Sequence, residues 1–271
     1  MKKILLLILS LITVIGVVFA SNLDFNYDDG IYHIVLSGDK IKKRIKFINS
    51  ETLITNREAH LKTGSLLTIN TGFFDPKNQK TISYIVNDSI VEEDPLFNTN
   101  LTSNPVLRQN MSKILNRSEF RILDCDGKLK YEIAPHDTKL DFMCSIKTSA
   151  QGGPALLPNL RLEEEFFIVK NEEGKVVRES ASVLHKVPRT LVGIKNLENG
   201  TQEMHIFIVT NEHPMDIYEA RDLCKSYDLD SAMAFDGGSS TSMNYKNISV
   251  ISTQSNGDTG RALKSFMIIK K

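Results

Sequence analysis

Composition gives this chain little that would single it out. Its 33 basic and 33 acidic residues cancel, so no net field draws it toward nucleic acid, and a nucleic-acid partner is not expected. Three cysteines among 271 residues are too few for a disulfide framework. An odd number cannot pair completely, so at most one bridge forms, and the spacing does not say between which two. None shows C-x-x-C spacing or a neighbouring His, which argues against thiol catalysis and zinc. Past residue 20 no apolar run is long enough to cross a bilayer. There is no internal repeat and no Pro- or Gly-rich linker. At 41% apolar, 24% charged and 7% aromatic the balance is globular, which excludes collagen-like and disordered readings.

Familiar catalytic signatures are also missing. G-x-S-x-G is absent, and the S-x-x-K and K-T-G matches at Ser37–Lys40 and Lys62–Gly64 lie too close together for a penicillin-binding site. The six histidines form neither H-x-H nor H-E-x-x-H, and Asp24, Asp28 and Asp29 do not match an EF-hand loop. Nothing calls for a metal or a cofactor.

What is present begins at the N-terminus. Lys2 and Lys3 precede an apolar run from Ile4 to Phe19, then the small Ala20 and the polar Ser21-Asn22. This layout reads as a secretory signal over 1–20, with an uncleaved anchor as the alternative. The expectation is an exported protein, periplasmic or secreted, with a single domain over 21–271 and no stable membrane insertion once the signal is removed.

The remainder reads as short strands with few helices, an α+β chain. Strands are expected at 40–47, 65–69, 82–86, 89–91, 191–194, 204–209, 232–235 and 264–269. In the first, Ile41, Ile45 and Phe47 would face inward. Lys40, Lys42, Arg44 and Lys46 would form a basic outer face, most simply a solvated edge strand. The clearest helix is 217–227, where Asp216 and Glu219 make a capping box and Ile217, Ala220, Leu223, Cys224 and Tyr227 line one face. A weaker helix is expected over 105–116.

Three polar turns fall at strand ends, where a rigid sheet can aim side chains. The first is Asn70-Thr71-Gly72-Phe73-Phe74-Asp75-Pro76. The second is Arg189-Thr190, whose guanidinium fork matches phosphate or carboxylate. The third is Phe235-Asp236-Gly237-Gly238-Ser239-Ser240-Thr241-Ser242-Met243, a carboxylate followed by glycines that allow close backbone approach and by four hydroxyls in succession. Taken singly, each is also a plain turn or a surface ion pair.

Together and in order, these turns resemble the phosphodiester glycosidase family, whose signatures look like N-G-x-F-F, G-G-P, R-T-x-x-G, L-D-G-G-G-S-S and a terminal Arg before a last strand. Here they correspond to Asn70–Phe74, Gly152-Gly153-Pro154, Arg189–Gly193, Phe235–Ser240 and Arg261. Thr71 and Ser239 depart from the pattern, each standing where the family has Gly. The resemblance implies cleavage of a sugar–phosphate diester on the glycosidic side. It assigns Asp236 as base or nucleophile, Arg189 as phosphate clamp with Arg261 as a second candidate, and Asn70 as a catalytic-site contact. Gly72, Phe73, Gly152, Gly153, Thr190, Gly237, Gly238, Ser239, Ser240, Thr241 and Arg261 would line the substrate, a sugar phosphate or anionic glycan. Asp75 and Asp258 are candidates for a second carboxylate. The competing reading is a non-catalytic envelope module that binds glycan or assists exopolysaccharide assembly, resting on the basic face at 40–46 and on Thr71 and Ser239.

Overall fold

A computed structural model of the chain describes residues 23–253 and 259–271. The signal sequence and Asp258 lie outside the described residues. Among those described, twenty strands and six short α-helices form an α+β fold. Three antiparallel sheets dominate it. The first has six strands in the order Leu23–Asp28, Ile31–Ser37, Gln202–Val209, Arg189–Asn196, Ser231–Ala234, Ala155–Leu157. The second has five, Lys128–Pro135, Ser118–Cys125, Cys144–Gln151, Ile85–Asn87, Ile90–Glu93. The third also has five, Ile248–Ile251, Ser242–Tyr245, Leu67–Asn70, Leu263–Ile269, Ile45–Ile54.

The middle of the first sheet is covered on both faces, which is why its strands read as continuous apolar runs. Val192, Ile194, Met204, Ile206 and Ile208 enter a core shared with Ile69, Phe120 and Met267 of the other two sheets. Leu191, Phe207 and Val209, one residue out of phase, face the opposite way and pack with Ile217, Ala220 and Cys224 of the helix Ile217–Ser226. That helix starts at the expected capping box: Asp216 accepts from the Glu219 amide and the Glu219 carboxylate accepts from the Asp216 amide. Burial pushes the Cys224 thiol up to about 12, so it serves as a core apolar group. The other two cysteines are joined, Cys125 to Cys144, tying one end of a strand pair in the second sheet.

Two expectations need correction. Residues Asp39–Lys42 form a helical turn, and the strand begins only at Ile45. Lys42 is 4% exposed; its ammonium donates to Asp39 and to the Leu129 carbonyl and lies over the Tyr131 ring. The continuous basic face therefore does not exist, although Ile45–Ile54 is an edge strand and Ile41, Ile45 and Phe47 are buried. The expected helix over 105–116 is two, Pro105–Gln109 and Met111–Leu115, divided at Asn110, whose backbone leaves the helical region.

Candidate active site

The ends of the first and third sheets meet at Asn70. This residue closes the strand Leu67–Asn70, and its side chain is fully engaged with the chain itself. Its amide nitrogen donates to the Asp236 carbonyl at 2.6 Å. Its amide oxygen accepts from the Thr190 hydroxyl at 2.6 Å and from the Ser242 backbone amide at 3.1 Å. The Asp236 amide donates to the Thr71 carbonyl at 2.9 Å, and the Phe235 amide to Thr190 at 2.8 Å. Asn70, Thr71 and Thr190 are almost wholly buried. Their hydrogen bonds bolt the Asp236 turn to two sheets, so the side chains of Asn70 and Thr190, expected as site contacts, are engaged with the chain itself.

Several of the expected glycines have the same character. A Cβ on Gly72 would sit 2.6 Å from the Ser83 Cβ, and one on Gly152 would sit 2.8 Å from the Phe235 ring. On Gly153 it would meet the Glu165 carboxylate at 2.3 Å. These positions are glycine because neighbouring chain fills the space. Gly238 differs, with φ +59° and nothing within 4 Å of its added Cβ. Gly237 packs on the Pro188 carbonyl.

Arg189, expected as a phosphate clamp, is held largely by backbone carbonyls. It is buried, and its Nε donates to the Met215 carbonyl at 2.9 Å. One terminal nitrogen reaches the Ser182 carbonyl at 2.7 Å, that of His185 at 2.8 Å and that of Val183 at 3.4 Å. Burial lowers it to about 10, opposed by the charges of Asp216 and Glu179, so it stays protonated at neutral pH. Nε and one terminal nitrogen are thus held by a carbonyl cage, while the other terminal nitrogen, Nη1, would stand 3.6 Å from a Cβ added at Gly237, beside the Asp236 turn. Arg189 is not among the residues that line the cleft with Asp236.

That cleft has a volume of about 270 Å³ and holds a different set of cations. Arg117, Arg178 and Arg261 line it with Asp236, Ser180, Phe73 and Phe74. Arg117 donates its Nε to the Glu165 carbonyl and lies 4.2 Å over the Phe167 ring. Its terminal nitrogens have no hydrogen-bond partner among the described residues. Burial lowers Arg117 to about 10, with Glu165 opposing the shift. Arg178 lies over Phe166 and donates to that residue's carbonyl at 3.0 Å. Neither Arg117 nor Arg178 falls in a motif, so the sequence offered no signal for them.

Asp236 is the one carboxylate among the described residues that lines the cleft. Ser240 donates its hydroxyl to the Asp236 Oδ2 at 2.6 Å. Arg261 in turn donates to the Ser240 and Ser239 hydroxyl oxygens, each at 2.9 Å, and lies over the Phe74 ring. Burial pushes Asp236 up to about 6; the Ser240 hydroxyl, the Arg261 charge and the Gly237 amide pull the other way. The Thr241 hydroxyl is buried and unpartnered among the described residues. Asp75 sits apart, accepting from the Asn100 side chain and the Lys77 amide. Among the described residues no three His, Cys, Asp or Glu side chains cluster as metal ligands.

The family model for phosphodiester glycosidases matches residues 63–270. Among solved structures the chain is similar to the zebrafish N-acetylglucosamine-1-phosphodiester alpha-N-acetylglucosaminidase catalytic domain auto-inhibited by its pro-peptide. That match has a TM-score of 0.64 and 15% identity, over 92% of this chain and 81% of the other. A hypothetical protein from Synechocystis matches at TM-score 0.53 and 12% identity, over 91% of this chain and 61% of its own. A putative exported protein from Burkholderia pseudomallei K96243 matches at 0.53 and 11%, over 89% and 74%. At such identities the likeness is one of fold. No curated protein matches the sequence.

Proposed function

The chain belongs to the phosphodiester glycosidase family, and from that premise we propose that it hydrolyses the glycosidic bond of a sugar 1-phosphodiester, releasing the free sugar and a phosphate monoester. The observation that carries this reading is Asp236, a desolvated carboxylate held by Ser240 in a cleft that also presents three guanidinium groups.

A phosphate monoester leaves more readily than a sugar alkoxide, so the site needs charge stabilisation more than a strong general acid. Arg117, Arg178 and Arg261 supply it, through charge-assisted hydrogen bonds to the phosphate oxygens that strengthen as the C–O bond breaks. Asp236 acts at the anomeric carbon, either as base for the attacking water or as nucleophile. With burial pushing it up to about 6, it remains ionised at neutral pH yet is a better proton acceptor than a solvated carboxylate. Arg261 links the two halves, since it contacts the hydroxyl that holds Asp236 and lines the phosphate side. Ser239, which accepts from Arg261, and the open face at Gly238 would meet sugar hydroxyls.

Export fits this chemistry. The N-terminal pattern is that of a secretory signal, and the Cys125–Cys144 disulfide belongs to an oxidising compartment. No helix among the described residues is long and apolar enough to cross a membrane. The glycan-binding alternative loses its main support with the burial of Lys42.

The test is incubation with an N-acetylglucosamine 1-phosphodiester, the substrate in the zebrafish relative's name, with proton NMR detection of free sugar. Release that disappears in Asp236→Asn supports the reading, and the first anomer formed distinguishes base from nucleophile. Binding without release by the wild type would replace it with the glycan-binding module.

A further inference from the structure

Part of the lining of the cleft is apolar to a degree that sugar and phosphate do not explain. It is built by Ile82, Leu101, Leu107 and Ile114, with the Phe167 ring beneath. Leu101 and Ile114 are the buried anchors of a small core with Phe166, against which Ile82, Leu107 and Met111 pack. A sugar placed against these side chains would lose hydrogen bonds from its hydroxyls with none in return. The same cleft carries the polar groups Asp236, Ser180 and the three arginines, and Arg178 lies over the Phe166 ring of that small core. The helical run that supplies Leu101 and Leu107 also exposes apolar side chains to solvent: Leu96 is 49%, Phe97 78% and Val106 56% exposed.

Resting on the hydrolase reading above, we propose that the group on the far side of the phosphate is a hydrocarbon chain, so that the substrate is a lipid-linked sugar phosphate. The groups lining the cleft suit such a molecule. Its sugar meets the carboxylate and hydroxyls, its phosphate meets the guanidinium groups, and its chain lies against Leu101 and Leu107. A cation-lined site with an adjoining apolar wall fits an amphiphilic phosphodiester better than one carrying sugars on both sides. Hydrolysis breaks the bond between anomeric carbon and phosphate oxygen; water supplies hydroxyl to the sugar, and the alkyl phosphate departs with the electron pair.

The experiment separates this inference from the hydrolase reading by measuring binding and turnover independently. Affinities of the purified protein for n-octyl phosphate, below its micellar concentration, and for glycerol 3-phosphate are compared by calorimetry, for wild type and Leu107→Gln. Octyl phosphate should bind about tenfold more tightly or better, since burial of about two methylenes suffices for that ratio, and Leu107→Gln should shrink the ratio. Octyl and glyceryl esters of N-acetylglucosamine 1-phosphate then report turnover. Octyl preference in binding without sugar release from either ester supports the apolar subsite and removes the hydrolase reading. Equal affinity for the two phosphates, or no binding of either, overturns the inference, whatever the turnover.

Discussion

Ser240 donates to the Asp236 carboxylate at 2.6 Å and accepts from Arg261 at 2.9 Å, so one hydroxyl couples the carboxylate of the cleft to one of its cations. The arrangement keeps Asp236 ionised at neutral pH against the desolvation that burial imposes. Stability and activity should therefore respond to pH in opposite directions.

For stability, the carboxyl is raised to about 6 in the fold, against roughly 3.9 in the unfolded chain. Between those values the native state binds more protons than the unfolded one, so this group's contribution falls as pH rises and is lost above about 6. Asp236→Asn should melt higher than wild type at pH 8, by roughly 2–3 kcal/mol. The difference should vanish near pH 4, the ordinary aspartate range. Thermal denaturation of both proteins across this range checks it; a gap independent of pH would contradict the assignment.

Arg261 lowers the proton affinity of Asp236 through its charge. In Arg261→Gln the rising limb of kcat/KM against pH should move above its wild-type midpoint, expected near 6. KM for the phosphodiester should rise as well. Initial rates over pH 5–9 read both effects, and an unmoved limb would uncouple the two residues.

Arg189→Lys should act on stability. The lysine cannot reproduce the guanidinium's bonds to Met215, Ser182 and His185. With charge-assisted bonds worth about 1.5–3 kcal/mol each, a loss of roughly 2–4 kcal/mol is expected in urea unfolding, with little change in KM for the folded fraction. A large rise in KM without loss of stability would restore Arg189 as a phosphate contact.

The acid side has its own prediction. His33 and His205 lie 3.0 Å apart, with the His33 ring stacked on Phe207. Burial lowers both to about 4. The unfolded chain, with histidines near 6.5, then binds more protons, so stability present above that value is lost as pH falls toward 4. The double variant His33→Phe/His205→Phe should lose less stability than wild type between pH 6.5 and 4. Parallel loss in both would place acid sensitivity elsewhere.

Legibility in the sequence followed burial of apolar side chains. The strands at 191–194 and 204–209 were visible because both faces of their sheet are covered, and the structure extends them to Arg189–Asn196 and Gln202–Val209. The strands Ser118–Cys125 and Cys144–Gln151 were not, because they bury Glu119, Arg121, Thr148, Ser149 and Gln151. Inward positions that are polar erase the alternation on which a strand is read. At the site, the turn carrying Asp236 stood out as an ordered string after a helix and a strand. The cage around Arg189 was not legible, because it comes from carbonyls of residues 182–185 and 215. Arg117 and Arg178 were invisible because single arginines gain meaning only once folding sets them around one cleft.

The most direct measurement is hydrolysis of an N-acetylglucosamine 1-phosphodiester in ¹⁸O-labelled water, with mass analysis of both products. If Asp236 directs attack at the anomeric carbon, the label enters the free sugar, and Asp236→Asn stops its appearance while leaving the circular dichroism spectrum intact. Label in the phosphate, or label in the sugar undiminished by Asp236→Asn, would contradict the account.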